Sequence, residues 1–264
     1  MNNITVIIPI HKFNKETDLN YFNAAYDSVF KNSQYFDGTL KLAVVCPETV
    51  SKELIELGKE NLNIIINNGK TDFCSQINFA VEQIDTEYFS ILEFDDTYTD
   101  KWFASVQEYS YGNEDVSVFL PINVHYETEN SARQYCNEIV WANEFSKELG
   151  YIDFDCLENY SGFNLTGGVF NTEDFKKIGG LKSSIQVAFN YEFLLRLTNK
   201  KLKCFVVPKE GYIHLLNRID SLTDEYEKSL TSEMVDKWFE VARSEYAYTT
   251  DRNITLNFKQ EVLK

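Results

Sequence analysis

Short apolar runs alternate with amphipathic segments through the first hundred residues, and this alternation constrains the fold more than any other feature. Residues 5–10 are β-branched and nearly continuous, interrupted by Pro9 and followed by the polar His11-Lys12-Phe13-Asn14, which suits a buried strand. Residues 18–32 space Leu19, Phe22, Ala25, Val29 and Phe30 as on one helix face. Residues 40–45, 62–66 and 88–94 read as further strands, and residues 51–61, with Ser51 as cap, and 73–84 as helices. Such alternation predicts an α/β fold: a mostly parallel mixed sheet flanked by helices. The second half is less regular. Strands are expected at 116–124 and 204–208, and Thr166-Gly167-Gly168 precedes a short one. A helix at 173–178 is closed by Gly179-Gly180, another spans 191–202, and residues 223–246 form a terminal helix with Thr223 as cap. The expected division is a main domain over 1–222 and a helical extension over 223–264.

The 264-residue chain is long enough to bury a sizeable core, and 44% of it is apolar, so it should fold. Its formal net charge is -16. A nucleic-acid partner calls for a basic patch; the densest group, Lys200, Lys201 and Lys203, suits an exposed helix end instead. No nucleic-acid partner is expected. Acidity also disfavours an anionic membrane surface, and no apolar stretch approaches the ~18 residues that span a bilayer. The five cysteines are widely spaced without a C-x-x-C pair, which suits reduced thiols. The first apolar run is too short for a signal peptide and lacks a basic lead. A soluble, cytoplasmic protein is expected.

In sheets of this kind ligands sit outside the carboxyl ends of the strands, so the polar tails after the strands are the site candidates. Glu93-Phe94-Asp95-Asp96 is the sharpest. Three carboxylates in four residues repel one another unless a cation compensates. On a strand, Glu93 and Asp95 would share one face and offer hard oxygens to Mg²⁺ or Mn²⁺. The alternative is a solvated turn, since Asp-Asp-Thr also suits turns and caps. After the third strand, Gly69 would let backbone approach a phosphate and Lys70 would supply charge; an ordinary Asn-Gly turn is the alternative. Ile64 stands where a P-loop needs its first glycine. Asn78 sits among apolar neighbours and needs partners, and could brace the loop. Thr166-Gly167-Gly168 offers backbone without bulk, or a bulge. His214 and Arg218 are candidate ligand contacts or ordinary surface residues.

The order of these pieces resembles the family 2 glycosyltransferases of the GT-A (Rossmann-like) fold, over residues 4–223. Val6-Ile7-Ile8-Pro9-Ile10 is similar to that family's opening strand, and Asn68-Gly69-Lys70 through Asn78 to its loop and helix. Tyr88 through Asp96 is similar to the strand that ends in its D-x-D metal motif. Thr166-Gly167-Gly168-Val169-Phe170 resembles the acceptor-side segment, Tyr191-Glu192-Phe193-Leu194 the helix after the catalytic base, and Tyr212-Ile213-His214 to Thr223 the closing segment. The wording around Glu93 also resembles transferase-like proteins of large viruses and phages, which would place the protein in host cytoplasm or a virion.

The resemblance implies roles. Asp95, Glu93 and His214 would hold Mn²⁺ or Mg²⁺. Pro9, His11, Glu48, Lys70, Asn78, Glu93 and Arg218 would serve the nucleotide, and Thr166, Gly167 and Gly168 the acceptor. The family's Glu-Asp pair reads Phe189-Asn190 here, and an amide cannot take a proton as a carboxylate does. Glu192, or else Asp153 or Asp155, would be the base. The implied activity is inverting, metal-dependent transfer of a sugar from a UDP-sugar to a hydroxyl of a glycan, lipid or protein. The alternatives are an inactive structural or carbohydrate-binding relative and, last, a nucleotidyltransferase. The terminal helix would either close the core or pair with another subunit.

Overall fold

The structure, a computed structural model, describes residues 1–126, 133–185, 187–216 and 231–246. Its first part follows the alternation. Strand β1 (Asn3–Pro9) leads to α1 (Lys15–Asn32), β2 (Thr39–Cys46), α2 (Glu48–Glu56), β3 (Leu62–Ile66), α3 (Phe73–Gln83) and β4 (Tyr88–Ile91). β1 lies between β2 and β4, with β3 outside β2, all parallel. Asn14 and Asp72 cap α1 and α3 by accepting from the Glu16 and Ser75 amides. Strand residues alternate between faces, so Ile7 packs with Ile77 and Ala80 of α3, while Val6 and Ile8 pack with Phe22 and Val29 of α1.

The cap of the second helix differs from expectation. α2 begins at Glu48 behind Pro47, whose missing N–H costs nothing at a helix start. Ser51 is therefore buried inside the helix, and its hydroxyl donates to the Glu48 carbonyl.

The second part adds β5 (Thr97–Tyr98), α4 (Trp102–Ser110), β6 (Val116–Tyr126), β7 (Arg133–Cys136), α5 (Phe154–Asn159), β8 (Val169–Asn171), α6 (Thr172–Lys177), α7 (Phe189–Asn199), β9 (Lys203–Leu215) and α8 (Ser232–Tyr246). The sheet order is β3-β2-β1-β4-β8-β6-β9-β5, with β7 on β6. β8 runs antiparallel to β4 and β6, whereas β6 and β9 are parallel. The sheet is thus mixed, and helices cover both of its faces: α3 and α7 on one, α1 and α4 on the other.

Two strands differ from the expected lengths. The strand expected over 88–94 stops at Ile91, and the chain turns at Glu93–Asp96, where the Asp96 amide donates to the Glu93 carbonyl at 3.1 Å. The strand expected over 204–208 continues to Leu215. Its register against β6 shifts between Leu120↔Val206 and Ile122↔Glu210, and this bulge absorbs Pro208. The expected cap Thr223 lies outside the described residues; the described part of the last helix begins at Ser232. Among the described residues, no helix is long and apolar enough to cross a membrane.

Candidate functional site

The acidic run is a turn, and the turn is braced from behind by β9. Tyr212 and His214 are two apart on that strand and so share a face. The Tyr212 hydroxyl accepts from the Glu93 amide at 3.0 Å and donates to Asp96 Oδ2 at 2.7 Å. His214 Nδ1 lies 2.7 Å from the same oxygen, and the Leu215 amide donates to Asp96 Oδ1 at 2.8 Å. Asp96 is 1% exposed and Tyr212 is fully buried, so these bonds are made away from water.

Glu93, Asp96 and His214 each bring one potential ligand atom within 4.8 Å of the others. The sequence reading joined Asp95, rather than Asp96, to Glu93 and His214. A turn in place of a strand removes the alternation behind that reading, and β9 meets the turn at both ends, at the Glu93 amide and the Asp96 carboxylate. Asp95 is half-buried on the same turn, and its charge still reaches His214. Burial alone would depress the His214 imidazole, but Asp96, with Glu93 and Asp95 behind it, lifts its pKa to about 9. His125, in register with His214 on β6, lies tilted against it with ring centroids 4.9 Å apart, and burial followed by His214 pushes its pKa down to about 4.

Thr166, Gly167 and Gly168 are buried behind this arrangement and bonded within the protein. The Gly167 amide donates to the Ile91 carbonyl at 2.8 Å, Trp102 Nε1 donates to the Gly167 carbonyl at 2.8 Å, and Asn123 Nδ2 donates to the Thr166 carbonyl at 3.1 Å. Gly167 has φ +78°, and a Cβ there would lie 2.6 Å from the Tyr212 ring. The segment expected to face an acceptor therefore shapes the wall behind the acidic turn.

The remaining strand ends lie along the same edge. Pro9 ends β1, with His11 half-buried just beyond it. The Glu48 amide at the end of β2 donates to Asn68 Oδ1 at 3.0 Å, joining the loop after β3. Asn67 shapes that loop by donating to the Lys70 carbonyl at 3.1 Å and accepting from the Gly69 amide at 3.0 Å, and Lys70 is exposed. Asn78 is not among these groups. Its amide accepts from the Leu181 N–H at 2.8 Å and donates to the Leu181 carbonyl at 2.7 Å, so it ties α3 to the loop after α6. Arg218 lies outside the described residues.

None of the base candidates is set up as a base. Glu192 has no exposed surface. Arg196 grips it through Nε and Nη2 at 2.9 and 2.8 Å, Lys182 Nζ lies 3.2 Å away, and the Tyr246 hydroxyl of α8 donates to it. Burial alone would raise its pKa, but Arg196, Tyr246 and Lys182 together hold it below the usual carboxylate range. This carboxylate serves packing, because its helical neighbour at i+4 is an arginine and the terminal helix closes over both. Asp153 caps α5 by accepting from the Cys156 amide at 2.7 Å, and Asp155 pairs with Lys147. Asn190 Oδ1 is buried without a hydrogen-bond partner.

The sequence marks Asp96 only as part of the acidic run and gives Tyr212 no role of its own. The signal was present in Tyr212-Ile213-His214, where a tyrosine and a histidine alternate on one strand face, but the strand was expected to end before them.

No protein-family model matches the sequence, and no curated protein matches it either, so no sequence relative supports a viral or phage origin. Solved structures do match. S. aureus TarS in complex with UDP-GlcNAc superposes with TM-score 0.67 at 14% identity, over 96% of this chain and 68% of that one. TarS with UDP gives TM-score 0.61 at 15% identity, over 96% and 67%. The mannosyltransferase PcManGT from Pyrobaculum calidifontis, in complex with GDP-Man and Mn²⁺, gives 0.63 at 11% identity, over 90% and 63%. The chain has the fold of these glycosyltransferases, GT-A-like, with the braced acidic turn at the carboxyl end of β4.

Proposed function

We infer that this protein is a glycosyltransferase that moves a sugar from a nucleotide-diphosphate donor, a UDP-sugar, to a hydroxyl acceptor. The observation that carries this reading is the meeting of Glu93, Asp96 and His214 at the carboxyl end of a parallel strand in a GT-A-like sheet. The solved neighbours with UDP-GlcNAc, UDP and GDP-Man support the donor class.

The donor set fits a divalent cation. Carboxylates and an imidazole, gathered against their own repulsion, match the hard and borderline ligands that Mn²⁺ and Mg²⁺ take. Glu93, Asp95 and His214 would hold the ion, which would offset the charge that develops on the departing diphosphate. The turn's bonds to Tyr212 and Leu215 fix the Glu93 backbone amide and the Asp96 carboxylate, so the turn is set in place beforehand. Pro9, His11, Glu48 and the Lys70 loop form the edge along which the nucleotide would lie, with exposed Lys70 a cation for a phosphate. The acceptor is a hydroxyl of a glycan, lipid or protein, and the transfer is inverting. We take residues 1–222 as the transferase domain and 223–264 as its helical extension.

A second reading has a specific observation behind it. Glu192 is consumed by Arg196 and Tyr246, and Asn190 carries no proton acceptor of carboxylate strength. That favours a relative which binds the donor but transfers nothing. Incubation with UDP-GlcNAc, UDP-glucose or GDP-mannose, with and without Mn²⁺, separates the two. Transfer or donor hydrolysis predicts Mn²⁺-dependent release of nucleoside diphosphate, abolished in Asp95→Ala. Binding of UDP without any release supports the second reading, and release of pyrophosphate from UTP and a sugar 1-phosphate, supplied in a parallel incubation, would make the protein a nucleotidyltransferase.

A further inference from the structure

We propose that Asp96 is a positioning residue, whose carboxylate fixes the His214 ring so that Nε2 is the nitrogen offered to the cation. The inference rests on the cation-dependent reading above. Asp96 already receives three donors on its two oxygens: the Tyr212 hydroxyl and His214 Nδ1 on Oδ2, and the Leu215 amide on Oδ1. A carboxylate has only acceptors to give, so the proton of the His214 contact belongs on Nδ1. In the neutral ring the remaining lone pair then lies on Nε2, the arrangement in which a carboxylate behind a histidine orients it and raises its basicity as a ligand. Burial makes Asp96 itself a poorer ligand than Glu93 and Asp95, which are half-buried on the same turn. Tyr212 extends the device, since its one hydroxyl bridges the first and last residues of the turn.

Asp96→Asn tests this with almost no change of shape. The Leu215 N–H needs an acceptor, so the new amide keeps its oxygen there and turns its NH₂ toward His214. Nδ1 must then accept, and the proton moves to Nε2, where it blocks the cation. Mn²⁺ affinity, followed by the paramagnetic resonance of the free ion, is expected to fall about 10–100-fold in D96N, the usual effect of losing such a partner. His214→Ala should lose a similar factor, and D96N added to H214A should lose nothing more. Unchanged affinity in D96N overturns the proposal. So does a further loss in the double variant, which would make Asp96 a direct ligand.

A metal-free measurement stands beside it. Imidazole ¹⁵N correlation spectra, at a pH where the ring is neutral, should find the His214 proton on Nδ1 in the wild type and on Nε2 in D96N. A proton on Nε2 in the wild type overturns the proposal, even if D96N fails to fold. Should the wild type bind no Mn²⁺, the cation-dependent reading fails, while the ring's tautomer still decides what Asp96 does.

Discussion

Glu192 illustrates how one side chain can carry the sequence pattern of one role and the surroundings of another. It stands two residues after Asn190, where a carboxylate could stand in for a missing base, yet it is sealed under α8 by Arg196, Lys182 and Tyr246. Replacing it with glutamine leaves the Arg196 guanidinium buried without its counter-charge, which typically costs about 3–5 kcal/mol. Urea unfolding at neutral pH should register that loss, and a variant as stable as the wild type would refute the packing role. The pH dependence follows from the depressed carboxyl. The unfolded chain binds the proton more readily than the folded one, so the contribution is complete above an ordinary glutamate's pKa, ~4.3, and fades as pH falls through the lower folded value. The wild type should therefore lose stability on acidification more steeply than Glu192→Gln. Asn78 deserves the same treatment: Asn78→Ala should lower stability by about 1–3 kcal/mol through the unpaired Leu181 groups and leave nucleotide affinity unchanged in a calorimetric titration. Neither role was legible beforehand, because the partners lie far away in sequence, 54 residues for Tyr246 and 103 for Leu181.

Elements were legible where a period persists. β1 to β4 are apolar runs bounded by polar tails, and the sheet they form matches the expectation strand for strand. β8 has only three residues, too few for a period, and β9 runs through Pro208, which usually argues against a continuous strand, by way of a bulge. The end of β4 was misread for a related reason: Leu92, Phe94 and Asp96 are buried like strand residues although the chain is turning. The segment Thr166-Gly167-Gly168 was noticed for its lack of bulk, and the structure supplies the cause. Gly167→Ala would strain a left-handed backbone and press on the Tyr212 ring, a cost of about 1–3 kcal/mol. Its thermal midpoint should drop, and if Mn²⁺ binds at the turn its affinity should drop too, because Tyr212 carries the turn's bonds.

At the scale of the whole molecule, the sheet is sealed on one face by α1 and α4 and on the other by α3 and α7, with α8 packed over α7 through Phe239, Ala242 and Tyr246. A chain cut before Ser232 would uncover Glu192 and its cations together. Scanning calorimetry should find it melting well below the full chain; an unchanged midpoint would mean that α8 contributes nothing to the core. The placement of the site at the strand ends was legible from the alternation alone, since that edge is where parallel sheets hold ligands. The bracing behind it was not, because it comes from β9, on the far side of β8 and β6 from the strand that bears the turn. That bracing has a consequence for choice among ions. Tyr212 ties the amide of Glu93 to the carboxylate of Asp96 through a single buried hydroxyl, which fixes the spacing between the two ends of the turn. Selectivity between divalent ions follows cavity size and flexibility, so if the turn holds a cation as proposed, a tyrosine that touches no ion would be the gauge of the ionic radius it accepts.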